Sequence, residues 1–341
     1  MNKSLEFIES RINDFQYADF ENNRVVVTAG LQATFYFWGG YQSEVRERIA
    51  DCAESYENSY GGHLKWQMHP EQTRRIWLDQ KKLPPLRQYA STLGPDDAIQ
   101  WYVSSGDDDA AAEYRLQIYT GRKWKQGDMS LLSFTLPRRF AFEAEERERF
   151  FSLFHLCIEK LNPFHAHAGL AVVTPYAQED FQAEELDIST RLRAIYIEPT
   201  FVDISYAHHG IKSIDWMTFI STTLAQKVEN VHSLLRPINT DGVHMGEHLS
   251  QGVLFLTGET PELLPIESGI PSNFSTLNAM LRPMRTCDFG SMGFDQSMAN
   301  RALRVALPIF GSVGSISPAS GHPPLLWDWE KRLWVFLLKR A

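Results

Sequence analysis

The first hydrophobic segment of the chain is rich in β-branched and aromatic residues. It reads RVVVTAGLQATFYFW from Arg24 to Trp38, a composition typical of β-strands. Gly30 lies near its middle, and a glycine at such a position weakens a strand. The segment therefore predicts two consecutive strands separated at Gly30.

A helix is predicted next, because apolar residues then recur about every 3.6 positions. Ser43 is a suitable N-cap and Gly61 a suitable stop. Since Cys52 belongs to the apolar stripe, we expect it to pack in the core and to take no part in chemistry. The stripe consists of Val45, Ile49, Cys52, Ala53, Tyr56 and Tyr60.

Two short helices and three strands are predicted before residue 140. The helices are expected near residues 71–79 and at residues 86–93. In one of the strands Tyr114, Leu116 and Ile118 alternate with polar residues, which is typical of an antiparallel strand with one buried face. The three strand segments are 98–105, 112–120 and 130–137.

The next part of the chain alternates helices with single strands. A buried strand is predicted at residues 167–174 and another at 252–258. A helix over residues 273–285 is expected to end or kink at Pro283. Before the first of these strands, a long helix carries an apolar stripe of Phe150, Phe154, Cys157, Ile158 and Leu161.

The segment SIDWMTFISTTLAQKV, which starts at Ser213, is predicted to be another amphipathic helix. Ser213 would cap it, and Asp215 would lie in its first turn. Trp216 opens its apolar stripe and is therefore expected to be buried. The other members of that stripe are Phe219, Ile220 and Leu224.

Adjacent strands without intervening helices predict an α+β fold, with mainly antiparallel or mixed sheets flanked by amphipathic helices. We expect two lobes, an N-terminal one over residues 1–140 and a C-terminal one over 141–286. Residues 287–341 form a third segment of different character. It contains the Gly/Ser/Pro-rich stretch 312–324 and an aromatic end.

Composition indicates a globular protein of a reducing compartment. The chain has 341 residues, of which 43% are hydrophobic, and only three cysteines. Its start, MNKSLEFIESRINDF, lacks the apolar core of a secretory signal, and the late run LWVFLL is too short to span a bilayer. These features predict a cytoplasmic protein that does not associate with membranes.

The net charge of −9 argues against direct binding to nucleic acid, which normally requires clustered Lys and Arg. Acidic runs instead suggest a surface that meets a basic partner, although such runs also serve simply as solvated surface. The aromatic C-terminal segment is the next candidate for a contact. The candidate partner-binding residues are Asp107, Asp108, Asp109, Glu179, Asp180, Glu184 and Glu185, followed by Trp327 and Trp329.

The sequence DGVHMGEHLSQG contains one pattern with possible metal chemistry. His244, Glu247 and His248 have the spacing of a class of zinc peptidases, in which both histidines lie on one helical face. Gly242 and Gly246 make this segment a poor helix, each costing about 1 kcal/mol relative to Ala. A chance match is therefore the favoured interpretation, and a metal-dependent hydrolase is the alternative.

Other histidines and the common catalytic motifs do not change this picture. His165 and His167 would share one face of a strand, while the adjacent His208 and His209 would point to opposite sides if extended. A metal site built from these histidines would also need a neighbouring carboxylate, and the sequence places none beside them. Positions in the core or in turns are therefore favoured for these histidines. We predict no catalytic residue, no metal and no cofactor.

The sequence resembles the type VI secretion immunity family in an ordered series of motifs, from about residue 20 to 285. The resemblance implies a cytoplasmic antitoxin that binds and neutralises a toxin, of the kind paired with restriction-endonuclease-like effectors. It also implies that the motif residues determine the fold and that none of them belongs to an active site. The motifs include SFTLPRRF, HAHAGLAVV, SIDWMTFI and LNAMLRPMR, and the implied fold determinants are Gly39, Gly40, Trp66, Gly169, Trp216 and Pro261.

Overall fold

A computed structural model gives the structure of the protein. The residues that it describes are 3–10, 16–18, 23–71, 74–80, 83–106, 110–125, 129–176, 181–197, 204, 207–212, 214–226 and 244–285.

Thirteen strands are present among these residues, and eleven of them form one large sheet. The strands of this sheet pair antiparallel. Their order is β11-β12-β10-β8-β2-β7-β6-β5-β3-β4, with β1 beside β2, while β9 and β13 form a separate pair. The strands are β1 (Tyr17–Ala18), β2 (Val25–Phe37), β3 (Trp66–Met68), β4 (Arg75–Trp77), β5 (Gln100–Ser104), β6 (Arg115–Tyr119), β7 (Ser130–Leu136), β8 (His165–Val173), β9 (Leu192–Arg193), β10 (Met217–Ser221), β11 (His244–Leu249), β12 (Gly252–Leu256) and β13 (Leu264–Pro265).

Seven α-helices accompany these strands in the described part of the chain. The two long ones, α2 and α4, contact each other and cover one face of the sheet. The prediction of an α+β fold is confirmed. The helices are α1 (Lys3–Ser10), α2 (Ser43–Tyr60), α3 (Leu86–Ser91), α4 (Ala144–Leu161), α5 (Gln182–Arg191), α6 (Thr222–Ala225) and α7 (Ser272–Leu281).

The central strand β2 is continuous, so the predicted interruption at Gly30 is wrong. Gly30 pairs with Ala171 of β8 inside the strand. A Cβ atom at this position would lie 2.7 Å from Cγ2 of Val173. The glycine therefore makes room for a neighbouring side chain, and it does not break the strand.

The same strand joins the regions on either side of the predicted lobe boundary at residue 140. One edge of β2 pairs with β7 and the other with β8. Residues Met1–Gly290 accordingly form one compact unit. The lobes expected over 1–140 and 141–286 would therefore share one continuous sheet.

The main core lies between the sheet and the helices α2 and α4. Both predicted apolar stripes are buried there, including the free cysteines Cys52 and Cys157. Burial, together with the neighbouring Cys52, raises the pKa of the Cys157 thiol well above its usual range. These cysteines therefore act as core residues, as expected for Cys52.

The segment after Ser213 is not a long helix, and this prediction is wrong. It forms strand β10 followed by the short helix α6, while Ser213 lies outside the described residues. Met217 and Phe219 belong to the core under the long helices, whereas Ile220 packs on the opposite face. Pairing with β8 and β12 favours this period of two over the helical spacing.

A second predicted helix also forms a strand, because the region 71–79 contains β4. Residues 72–73 lie outside the described part of the chain. The helices predicted from Ser43 to the stop at Gly61, at 86–93 and at 273–285 are confirmed as α2, α3 and α7, of which α3 ends at Ser91 and α7 at Leu281. Arg282–Met284 forms a short 3-10 turn around the predicted stop at Pro283.

Candidate functional site

The motif His244-x-x-Glu247-His248 lies on strand β11, not on a helix. The register of the strand shifts between them, so that His244 pairs with Leu256 of β12 and His248 pairs with Val253. The zinc-peptidase arrangement instead needs both histidines on one face of a helix, one turn or about 5.4 Å apart. Glu247 instead lies 3.4 Å from Nε2 of His155 on α4. The zinc-peptidase geometry of the alternative interpretation is therefore not formed.

His165 and His167 lie on β8, on the sheet face opposite α2 and α4, and both are buried. His167 packs against the ring of Tyr196, with ring centres 4.2 Å apart. Burial lowers the pKa of His167 well below its usual range, and His165 and Lys212 lower it further. In the described part of the chain, no three His, Cys, Asp or Glu residues are grouped to hold a metal ion.

Several acidic residues of α2 are already paired with cations. Arg87 of α3 bonds to Asp51 and Glu54, and Lys160 of α4 also reaches Asp51 at 2.9 Å. The hydrogen bond from Arg87 lowers the pKa of Asp51. This acidic helix face therefore joins α2 to its neighbours and offers little free charge to a partner.

Asp107, Asp108 and Asp109 lie outside the described residues, but the residue that precedes them is fixed. Gly106 follows β5, and its carbonyl accepts a 2.6 Å hydrogen bond from Nε1 of Trp66. Trp66 is fully buried. The start of this acidic segment is therefore attached to the core of the sheet.

Glu179 and Asp180 also lie outside the described residues, and they follow Tyr176 closely in sequence. Glu184 is half-buried in α5, and Glu185 is only 4% exposed. A buried carboxylate cannot present charge to a partner, so we remove Glu185 from the candidate surface. Trp327 and Trp329 are outside the described residues as well.

An aromatic cluster brings the starts of the two acidic segments together. We define it as Trp66, Tyr102 and Tyr176. Trp66 stacks on Tyr102 with ring centres 5.3 Å apart, and Tyr176 meets Tyr102 edge-on at 4.7 Å. Strands β5 and β8 point the same way, since four antiparallel steps separate them in the sheet. Gly106 and Tyr176 therefore leave the same end of the sheet.

A pocket of about 220 Å³ opens beside the aromatic cluster. Tyr102 and Gln117 face each other across β5 and β6 in its wall, and Tyr176 closes one side. Sequence reasoning missed this pocket, because its residues come from four separate segments. The alternation in β6, which places the polar Gln117 between Leu116 and Ile118, and the isolated Tyr176 before an acidic run were the available signals. Its lining includes His69, Glu71, Gln100, Tyr102, Gln117 and Tyr176.

Two other large aromatic residues are exposed at the opposite end of the sheet. Trp124, in the loop after β6, is 64% exposed, and Trp38, directly after β2, is 42% exposed. Strands β2 and β6 run antiparallel to β5 and β8. The described part of the chain thus has aromatic surface at both ends of the sheet, but only one end lies next to the candidate acidic segments.

The glycines and tryptophans that the family resemblance implies to be fold determinants lie where packing or backbone conformation requires them. Gly39 has a φ of +77°, which favours glycine, and a Cβ at Gly40 would lie 2.1 Å from Oγ of Ser130. Gly169 leaves space for the buried carboxylate of Asp215. Trp216 is fully buried, and its Nε1 donates to the carbonyl of Gly258 at 2.9 Å. None of these contacts involves a catalytic arrangement.

Comparisons with known proteins agree with this architecture. The model of the family described as type VI immunity for VRR-NUC (TsiV) matches residues 48–306. The matched range starts and ends later than the 20–285 expected from the motifs. The Pseudomonas aeruginosa T6SS protein PA0821 has a similar structure, with a TM-score of 0.74, 20% sequence identity and 89% of each chain covered. No curated protein matches the chain.

Proposed function

Because the chain belongs to the family of type VI immunity proteins for VRR-NUC and is therefore an immunity protein, we propose that it neutralises a VRR-NUC toxin by binding it. The match over residues 48–306, most of the chain, is the observation that carries this proposal. The toxin is expected to be a nuclease. Binding alone would protect the cell, so the protein would need no cofactor and no catalytic group.

Two features support inhibition without catalysis. The zinc-peptidase spacing lies on strand β11 and not on the helix that such a site requires. The buried histidines of β8 are held by packing, and burial keeps His167 in its neutral form near pH 7. The positions of these histidines therefore fit a structural role better than a role in hydrolysis.

The proposed contact surface is the end of the sheet from which Gly106 and Tyr176 lead into the acidic segments. Its charged residues are Asp107–Asp109, Glu179, Asp180 and the half-buried Glu184. A nuclease must attract a polyanion, so its binding surface is expected to be basic. An acidic immunity protein with net charge −9 is complementary to such a surface. The aromatic C-terminal segment with Trp327 and Trp329 is the next candidate.

We further propose that the protein acts in the cytoplasm, where a nuclease toxin would meet DNA. Cys52 and Cys157 are free and buried, which suits a reducing compartment. No helix in the described residues is long and apolar enough to cross a membrane.

Charge reversal tests the contact surface. Replacing Glu179 and Asp180 with lysine should slow association with the toxin by roughly tenfold at low salt and weaken its salt dependence, because exposed charges act mainly on the encounter rate. The matched control reverses Glu145 and Glu148, which are exposed on α4 and change the net charge equally. Association rates are measured by biolayer interferometry at several salt concentrations.

The same experiment is repeated with Asp107, Asp108 and Asp109. Melting temperatures should stay close to that of the wild type, since exposed charges contribute little to stability. If both acidic segments can be reversed with no more effect than the α4 control, the contact lies elsewhere, and the C-terminal segment is tested next.

A further inference from the structure

The pocket beside the aromatic cluster, lined by Glu71, Gln100, Tyr102, Gln117 and Tyr176, is open to solvent. We infer that it is a socket for one cationic side chain, an arginine or a lysine, of the toxin. This inference rests on the proposed function and adds a specific anchor point to it.

The size of the pocket fits a single side chain. Pockets that bind small molecules usually measure about 300–1,000 Å³. This one measures about 220 Å³, so it is small for a drug-sized ligand or a cofactor. Protein interfaces commonly place one long or aromatic side chain into a depression of this kind.

The lining chemistry selects a cation. Tyr102 and Tyr176 provide aromatic surface, and the face of an aromatic ring attracts ammonium and guanidinium groups. Glu71 adds a carboxylate, and Gln100 and Gln117 add amide oxygens that can accept hydrogen bonds. The described residues that line the pocket include no lysine or arginine, so no cation of the lining itself opposes an incoming one.

The protein already places its own guanidinium groups on this aromatic cluster. Arg75 of β4 lies over the ring of Trp66, 5.0 Å from its centre. The guanidinium of the buried Arg115 lies 6.0 Å from the centre of Tyr102 and bonds to Oγ1 of Thr135 at 3.2 Å. Tyr102 is only 6% exposed, so the ring of Tyr176 is the surface that an external cation would mainly use.

Contacts within the chain hold Tyr176 and the backbone of Glu71. The backbone N–H of Glu71 donates to Nδ1 of His69 at 3.1 Å. Tyr176 is 37% exposed but packs edge-on against both Trp66 and Tyr102. A site that is ordered in advance loses less conformational entropy on binding.

The experiment measures affinity for the cognate VRR-NUC toxin by biolayer interferometry, using the full chain. Tyr176→Ala should weaken binding by roughly tenfold, mainly through faster dissociation, because it removes one wall of the socket. Tyr176→Phe retains the ring and should remain within about threefold of the wild type. Glu71→Gln should weaken binding by roughly three- to tenfold. Trp124→Ala removes an exposed tryptophan at the other end of the sheet and serves as the matched control.

A set of toxin variants with single Arg→Ala or Lys→Ala changes identifies the occupant. One of these should lose most of its own effect when it is combined with Tyr176→Ala, since both changes remove the same contact. If Tyr176→Ala and Glu71→Gln both bind like the wild type, or if Tyr176 couples only to an apolar toxin residue, the inference is wrong. If the wild-type chain itself does not bind the toxin, the proposed function fails instead.

Discussion

Replacing Gly169 with alanine adds only one methyl group but should strongly destabilise the fold. Gly169 lies in the middle of β8, opposite Gln32 of the central strand. A Cβ atom there would lie 1.8 Å from Oδ1 and 2.6 Å from Cγ of the buried Asp215. Oδ1 also accepts a 2.7 Å hydrogen bond from the backbone N–H of Trp216. Gly169→Ala therefore cannot be accommodated unless the carboxylate moves.

The expected cost has two parts. Overpacking a well-filled interior costs about 1–3 kcal/mol. Moving the carboxylate also breaks its bond to the Trp216 N–H, and a hydrogen bond to a charged or strongly polar group contributes about 1.5–3 kcal/mol. We therefore expect Gly169→Ala to lower the free energy of unfolding by roughly 3–5 kcal/mol, a large part of the about 5–15 kcal/mol by which native proteins are stable.

Urea denaturation followed by tryptophan fluorescence measures this loss. Gly62→Ala is the matched control, because a Cβ at Gly62 would meet nothing within 4 Å. It should be neutral or slightly stabilising. In an Asp215→Ala background the cost of Gly169→Ala should fall below about 1 kcal/mol, since the clash is gone. If Gly169→Ala is as harmless as Gly62→Ala, the close packing of β8 on Asp215 is refuted.

Two further predictions concern the same region. Trp216→Ala should lower the free energy of unfolding by about 3–5 kcal/mol in urea denaturation, because the fully buried ring stacks on Phe150 and bonds to Gly258; an unchanged midpoint would contradict this. Burial raises the pKa of Asp215 from 3.8 to about 7, so its contribution to stability is fully present below pH 3.8 and lost as pH rises towards 7. Asp215→Asn should remove that slope, at most about 1.4 kcal/mol per pH unit, and an unaltered pH profile would refute it.

The periodicity of the sequence predicted the fold class and the two long helices well. The stripes of α2 and α4 are buried as expected, because their apolar residues repeat with a single clear period. The segment around Trp216 was ambiguous, since Trp216, Phe219, Ile220 and Leu224 fit a helix by spacing. Its pairing with β8 and β12, which are distant in sequence, decides in favour of a strand.

The candidate site was only partly predictable. The acidic runs are visible in the sequence, but the common direction of β5 and β8 depends on the strand order of the whole sheet. Glu185 was wrongly included in the candidate surface because an acidic run does not reveal which of its carboxylates is buried. The pocket combines Glu71, Tyr102 and Tyr176 from distant segments, and only the folded sheet brings them together.

Inhibition of the purified toxin tests the central proposal most directly. The measurement is the rate of DNA cleavage by a fixed concentration of the cognate VRR-NUC toxin, titrated with the full chain. If the protein neutralises the toxin by binding, cleavage should fall linearly and stop near one equivalent, with no cofactor added and the chain recovered intact in a complex. Cleavage that continues unchanged in excess protein, or a loss of toxin activity that needs only catalytic amounts of the chain, would contradict the proposal.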